Sequence, residues 1–386
     1  RTVPSNATTA IAALSACAKQ KHWMEAPRLL QQMQWRAINV GTLEYCAAIS
    51  GCAGARHWAE ALHWFAELQE RRQQPNIVAY SAIMIACVKS HEFPRSLALM
   101  EDLRERRLKP NILCYSAATH ACEKGHQWRH ALHLFDRMQI DALQPDAVLF
   151  CILISACEKG QQWSRSLHFF EQMGIRGLEH DVVSYNATMS ACEKGSQWTR
   201  TIALLSEMRA RNITPDVITH NATISSCEKG QQWTLSLHVL SVMQRNSMDN
   251  IRPNMITYNA SISACNKGQH WALAGHLIKA MKERGLLPDR ITYSSYMSAC
   301  EKAHEWQRAV NAFEEMCGQR ITADAVVYTT LLCALGKGSD RVHSLNVLRG
   351  AREAGIRADR VMEKTLDSNL SVPSDGTSGW LAGVSR

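Results

Sequence analysis

The stretch VVSYNATMSACEKGSQWTRTIALLSEMRARNITPD, residues 182–216, decides the fold. In its first half Val183, Ala187, Met189, Ser190 and Cys192 fall near helical spacing, and Gly195 follows as a helix stop. From Trp198 to Arg209 a second segment brings Ile202, Leu204, Leu205 and Met208 to one face. Pro215 disfavours helix at the residue before it, and Asp216 is a good N-cap for whatever helix comes next. A helical hairpin is predicted. One hairpin cannot bury both apolar faces, so it needs like neighbours stacked on either side.

Those neighbours are written in the same chain. Cys17, Cys52, Cys87, Cys122, Cys157, Cys192 and Cys227 recur every 35 residues, and Cys265 and Cys300 resume the series after one interval of 38. Six residues after each Cys stands an aromatic: Trp23, Trp58, Trp128, Trp163, Trp198, Trp233, Trp271 and Trp306, with Phe93 once. In this frame ten repeats run 7–41, 42–76, 77–111, 112–146, 147–181, 182–216, 217–254, 255–289, 290–324 and 325–359. The seventh carries three extra residues within Arg245 to Arg252, between helices, where insertions cost little. Residues 1–6 are a short N-terminal remnant, and 360–386, rich in Ser and Gly, read as a partly flexible tail. The expected class is all-α, a right-handed α-solenoid superhelix of helix-turn-helix repeats. The tryptophans are expected to staple each repeat to the next rather than stack on a ligand.

Composition narrows the function classes. The net charge of +8 suits a polyanionic partner without requiring one. The longest apolar run, Ala147 to Cys157, is too short for a bilayer that needs about 20 residues. No two of the 14 cysteines are closer than six residues, so no Cys-x2-4-Cys metal motif exists, and no metal or cofactor is expected. Nine of them share one slot, where Cys serves as a small apolar contact residue that needs a reducing compartment to stay unpaired. The His-x-Glu and Cys-x-x-Cys signature of a nucleobase deaminase is absent, and the tail offers only Glu363, Asp367 and Asp375 as scattered carboxylates for a nuclease. The chain is read as a non-enzyme.

A lysine stripe stands out. Lys19, Lys89, Lys124, Lys159, Lys194, Lys229, Lys267, Lys302 and Lys337 lie two residues after the Cys slot or its tenth-repeat equivalent. On a concave groove they would track a phosphate backbone; alternatively, Lys near a helix C-terminus simply complements the helix dipole.

The starts Val-Val-Ser-Tyr-Asn-Ala (182–187), Val-Ile-Thr-His-Asn-Ala (217–222) and Met-Ile-Thr-Tyr-Asn-Ala (255–260), each preceded by Asp or Asn, resemble pentatricopeptide repeats in an array of the P type. The resemblance covers about nine-tenths of the chain and implies single-stranded RNA binding in the chloroplast or mitochondrion, one nucleotide per repeat. It also implies which residues read each base. These are the residue after the aromatic near the repeat start and the last residue of the repeat: Ser81 with Asn111, Ser116 with Asp146, Asn186 with Asp216, Asn221 with Asn254, Asn259 with Asp289, Ser294 with Asp324, and Thr329 with Asp359. In the family an adjacent aliphatic sandwiches the base, here Val78, Leu113, Val148, Val183, Ile218, Ile256, Ile291 and Val326. The family's rule then gives 5'-A-G-N-U-Y-U-G-G-3' from the third repeat onward. Cys46 with Asn76, Cys151 with Asp181, and Ile11 with Gly41 depart from the pattern and should be permissive.

Each of these residues also has a plainer reading: the aliphatics as first-turn core, Asp and Asn as N-caps. Two functions stay open. One is sequence-specific RNA binding, with possible protein partners of RNA processing. The other is a peptide-binding scaffold of the tetratricopeptide kind, which would need neither the polar pairs nor the lysines.

Overall fold

The computed structural model describes residues 25–35, 40–54, 58–71, 73–90, 92–245, 251–338 and 341–353, and every regular element among them is a helix. The chain divides into two compact units, Arg1–Gly195 and Ser196–Arg386, each taken by itself here. The first holds α1 (Glu25–Trp35), α2 (Thr42–Gly54), α3 (Trp58–Glu70), α4 (Ile77–Lys89), α5 (Phe93–Glu105), α6 (Ile112–Lys124), α7 (Trp128–Ile140), α8 (Ala147–Lys159), α9 (Trp163–Ile175) and α10 (Val182–Lys194). The second holds α11 (Trp198–Ala210), α12 (Val217–Lys229), α13 (Trp233–Arg245), α14 (Met255–Lys267), α15 (Trp271–Glu283), α16 (Arg290–Lys302), α17 (Trp306–Gly318), α18 (Ala325–Gly338) and α19 (Arg341–Glu353).

Local chemistry sets where the inner helices begin. Asn76, Asn111, Asp146, Asp181, Asp216, Asn254, Asp289 and Asp324 each accept the backbone N–H three residues on, at 2.8–3.0 Å. Such a cap is worth about 1 kcal/mol. At four of them, Asp181, Asp216, Asn254 and Asp289, a Ser or Thr at that third position bonds back to the cap's own N–H and completes a capping box.

The helix ends bear out glycine as the stop and place the left-handed residue one position later. Gly125, Gly160, Gly195, Gly230 and Gly268 do close their helices, but with φ near −80°, so none is a left-handed stop. The left-handed conformation falls on the next residue, His126, Gln161, Ser196, Gln231 and Gln269, with φ from 56 to 61°. Glycine is required for space. A Cβ at Gly160 would lie 2.3 Å from Trp128 Cδ1, and at Gly195 the same distance from Trp163. Trp128, Trp163, Trp198 and Trp233 thus each seat on the glycine of the following hairpin, which is the staple role expected of them.

In each unit, successive first helices pack side by side: α2, α4, α6, α8 and α10 in one, α12, α14, α16 and α18 in the other. Each second helix between them touches its own first helix and the next one. The core is correspondingly continuous. One cluster joins Ile224 of α12, Val239, Leu240 and Met243 of α13, Tyr258 of α14 and Met281 of α15. Cys52, Cys87, Cys122, Cys157, Cys192, Cys227, Cys265 and Cys300 are all fully buried where first helices meet. This is the α-solenoid arrangement that the repeat predicts, with stacked hairpins sharing a core within each unit.

Asp359, Lys19, Cys17, Trp23, Ile11, the tail after Arg360 and residues 246–250 of the long seventh repeat lie outside the described residues, as does the side chain of Lys337.

Candidate nucleic-acid interface

The second residue of each inner first helix faces solvent. Val78, Leu113, Val148, Val183, Ile218, Ile256, Ile291 and Val326 are 56–63% exposed, so they are not first-turn core. Two residues further along the same helices, Tyr80, Tyr115, Tyr185, Tyr258 and Tyr293 are buried. Half a helical turn separates the two sets, which is why one faces out and the other in. Leu43, in the same slot of α2, is 64% exposed and belongs with them; it was not singled out from the sequence. The aromatic beneath anchors the first helix to the second. Tyr80 donates to Asp102, Tyr115 donates to Asp141 Oδ2 at 2.5 Å, and Tyr45 donates to Glu67 Oε1 at 3.2 Å.

Immediately after that aromatic comes the polar residue of each proposed base-reading pair. Asn259 Nδ2 donates to both carboxylate oxygens of Asp289, at 3.2 and 3.3 Å. Asn221 Nδ2 donates to Asn254 Oδ1 at 3.4 Å, and the thiol of Cys46 donates to Asn76 Oδ1 at 3.2 Å. The serines behave differently. Ser81 Oγ donates to the Val78 carbonyl and Ser294 Oγ to the Ile291 carbonyl, both at 3.0 Å, while Ser116 Oγ has no protein partner. None of the three serines bonds to its Asn111, Asp146 or Asp324. Thr329 likewise donates to its own helix, at the Ala325 carbonyl, 2.7 Å away. Asp324 instead meets Arg290 Nε at 3.3 Å. Asn186 and Asp216 belong to different compact units.

The lysine stripe carries a pattern that reading one repeat at a time missed. Lys159 Nζ lies 2.5 Å from Glu123 Oε1, Lys194 Nζ 2.8 Å from Glu158 Oε1, and Lys267 Nζ 2.7 Å from Glu228 Oε1. Each lysine reaches back to the glutamate beside the previous repeat's lysine. Lys302, whose counterpart there is Asn266, bonds the backbone carbonyl instead, at 3.4 Å. Lys124 has its neighbour Glu123 at 3.7 Å. The signal was available in the sequence, since Cys-Glu-Lys recurs at 122–124, 157–159, 192–194, 227–229 and 300–302.

The cysteine slot is buried, and burial works against a reactive thiolate there. Burial pushes the thiols of Cys122 and Cys157 up to about 12 and those of Cys227 and Cys265 to about 11, so they stay protonated at neutral pH. Among the described residues no three His, Cys, Asp or Glu side chains gather as a metal site would, and no helix is long and apolar enough to cross a membrane.

The repeat geometry has a match among known families. The PPR repeat family model matches residues 180–229 and 253–302, the pentatricopeptide repeat domain model matches 28–90 and 98–159, and the PPR repeat model matches 291–321. Together they span well over half of the chain. The chain belongs to the pentatricopeptide repeat family. Among solved structures of that family, PPR10 in complex with an 18-nt psaJ RNA element superposes with a TM-score of 0.68 at 16% identity, over 89% of this chain and 48% of that one. The crystal structure of PPR10 from maize gives 0.50 at 18% identity, over 95% of this chain and 61% of that one. The chain thus spans about half the length of the RNA-complexed structure, and at such identities the likeness concerns the fold. No curated protein matches the chain significantly in sequence.

Proposed function

We propose that this chain binds single-stranded RNA sequence-selectively, reading one nucleotide per 35-residue repeat of a uniform, P-type array. The repeats are those bounded at 7, 42, 77, 112, 147, 182, 217, 255, 290 and 325. In this reading each base lies against the exposed aliphatic of a first helix and offers its Watson-Crick edge to the polar residue three positions on and to the cap of the next repeat. The lysines at the far end of the same helices, about 12 Å along the axis from the polar residue, serve the phosphates. Chemistry by the chain itself is not part of the proposal; occupancy of a chloroplast or mitochondrial transcript would protect it or remodel its local structure.

One observation carries the reading: a solvated aliphatic recurs in every described repeat from 42 onward, beside a polar edge residue in all but the two repeats that carry Cys46 and Cys151. Scattered exposed apolar residues need no explanation, but a row of them at one helical position does. The RNA complex of PPR10, a member with the same fold, supports it further. A peptide-binding scaffold accounts for the aliphatics but gives no role to the polar pairs.

The test is a fluorescence-anisotropy titration of RNA containing A-G-N-U-Y-U-G-G against a scrambled RNA and the matching DNA. Selective binding to the first supports the proposal; equal weak binding to all three overturns base reading and favours the scaffold. Ile256→Ala is expected to weaken the selective complex several-fold while moving the unfolding midpoint little, because the side chain it shortens is largely solvent-exposed in the free protein.

A further inference from the structure

An asparagine that reads a base has an ambiguity a serine lacks: its amide has a donor end and an acceptor end of the same shape. Which end meets the base decides which edges fit, so something must set it. At Asn259 two groups do. The Asp289 carboxylate, which accepts only, lies 3.2 and 3.3 Å away and so takes the Nδ2 end. On the other side Thr292 Oγ1 is 2.5 Å from Asn259 Oδ1. That hydroxyl already accepts the Asp289 backbone N–H, at 3.2 Å, so its single proton is left to donate. Its alternative acceptor, Asp289 Oδ1, is further off at 2.8 Å. The same arrangement surrounds Asn221. Its Nδ2 points to Asn254 Oδ1 at 3.4 Å, and Thr257 Oγ1 donates to its Oδ1 at 2.6 Å. Ser184 makes the contrast, since the edge residue before it is Cys151 with no amide to hold. Its hydroxyl donates instead to the Asp181 carbonyl, at 2.8 Å.

The sequence carries the same correlation. The asparagine edge residues Asn186, Asn221 and Asn259 are followed, at the third position of the next repeat, by Thr219, Thr257 and Thr292. The serine edge residues Ser81, Ser116 and Ser294 are followed there by Cys114, Leu149 and Val327. A hydroxyl stands at that position where an amide must be oriented, and none stands there for these serines, two of which donate to their own helix.

We propose that Thr257 and Thr292 are positioning residues that lock the amides of Asn221 and Asn259 from the following repeat and thereby set which base edge each accepts. The inference rests on the RNA-reading function proposed above. With the lock in place, Asn259 offers an N–H donor beside the acceptor oxygens of Asp289. That is the complement of an edge with an acceptor beside a donor, such as uracil O4 and N3–H. With the amide reversed, two acceptors would face the base and an edge of two adjacent donors would fit, such as guanine N1–H and its amino group. Thr292 touches no base in this scheme; it acts through Asn259.

The experiment compares RNAs with uracil or guanine at the nucleotide assigned to repeat 255–289, bound to the full chain and to Thr292→Val and Thr292→Ser. Losing one hydrogen bond of ordinary net strength should cut the uracil-to-guanine affinity ratio by about 3- to 10-fold in Thr292→Val. The ratio should survive in Thr292→Ser and be unchanged at the neighbouring nucleotide read by Asn221. Because Thr292→Val also removes a capping-box bond, its thermal midpoint is recorded in parallel; a purely structural role would lower the midpoint without altering the ratio at one nucleotide. The reciprocal construction guards against that loss: Ser294→Asn with Val327→Thr should favour uracil at its nucleotide more than Ser294→Asn alone. If the wild-type chain shows no preference at any nucleotide, the RNA-reading function fails and takes the lock with it. If the wild-type chain discriminates and Thr292→Val discriminates equally, the lock alone is overturned.

Discussion

Gly160 ends α8 and has no side chain because the Trp128 ring fills the space where one would go, 2.3 Å from the place of a Cβ. Gly318, at the end of α17, has nothing within 4 Å of the same point. The two glycines therefore respond oppositely to alanine. Gly160→Ala is expected to lower unfolding stability by about 1–3 kcal/mol through overpacking against a rigid indole. Gly318→Ala should leave it unchanged or raise it by up to about 1 kcal/mol through lost backbone entropy in the unfolded chain. Urea titrations of the two variants decide it, and equal effects would refute the packing argument. The recurrence of glycine was plain in the sequence, but its reason was not. A glycine after a helical run reads locally as a left-handed stop, and only the tryptophan 32 residues earlier supplies the steric reason. The exposed aliphatics pose the same difficulty. Val183 or Ile256 in a first turn fits core and surface equally well by spacing, until the packed position of Tyr185 or Tyr258 settles which side of the helix is inside.

Between elements, a largely buried ion pair forms a clasp joining α6 to α8. Glu123 sits in it with its side chain 5% exposed, accepting from Ser155 Oγ at 3.1 Å and paired with Lys159 at 2.5 Å. Burial by itself would raise its carboxyl; the Lys159 hydrogen bond and charge outweigh that and hold it below the ordinary 4.5. A carboxylate depressed in the folded state contributes stability above its unfolded value, and that contribution is lost as pH falls through the folded one. Wild-type stability should therefore decline on acidification below about pH 5, and Glu123→Gln should decline less over the same window. At neutral pH the glutamine variant should be less stable by about 1.5–3 kcal/mol, the range for a hydrogen bond to a charged group. Urea midpoints from pH 7 down to about 3.5 measure both, and parallel curves would show that the pair contributes nothing that depends on ionisation. At this scale the hairpins and their common core were legible, because Cys, Trp and the Pro-Asp close recur with one period. The clasp was harder to see, since Glu123 and Lys159 lie one residue more than a period apart, and scanning equivalent positions never places them together.

For the whole molecule the lysine stripe and its glutamates make opposed demands on RNA affinity. Binding to a single strand loses affinity with salt at roughly 0.7 log units per log unit for each phosphate neutralised. Nine unencumbered ammonium groups would thus give a slope of about −6, and the net charge of +8 would encourage that expectation. Lys159, Lys194 and Lys267, however, already face carboxylates at 2.5–2.8 Å. Each phosphate they engage must share the ammonium with a glutamate or displace it, and like charges are then brought together at the groove. The expected wild-type slope is therefore no steeper than about −4, with affinity resting more on the polar edges than on charge. Replacing Glu123, Glu158 and Glu228 together by glutamine frees three lysines while keeping side-chain shape. That variant should bind scrambled and cognate RNA more tightly alike, lose selectivity as a ratio, and steepen the slope by about 2 log units per log unit. Anisotropy titrations of both proteins between about 50 and 300 mM salt read all three quantities. A steepened slope establishes the lysines as the phosphate track, restrained by their own glutamates. An unchanged slope assigns them to inter-repeat stability alone and leaves the phosphates to other cations.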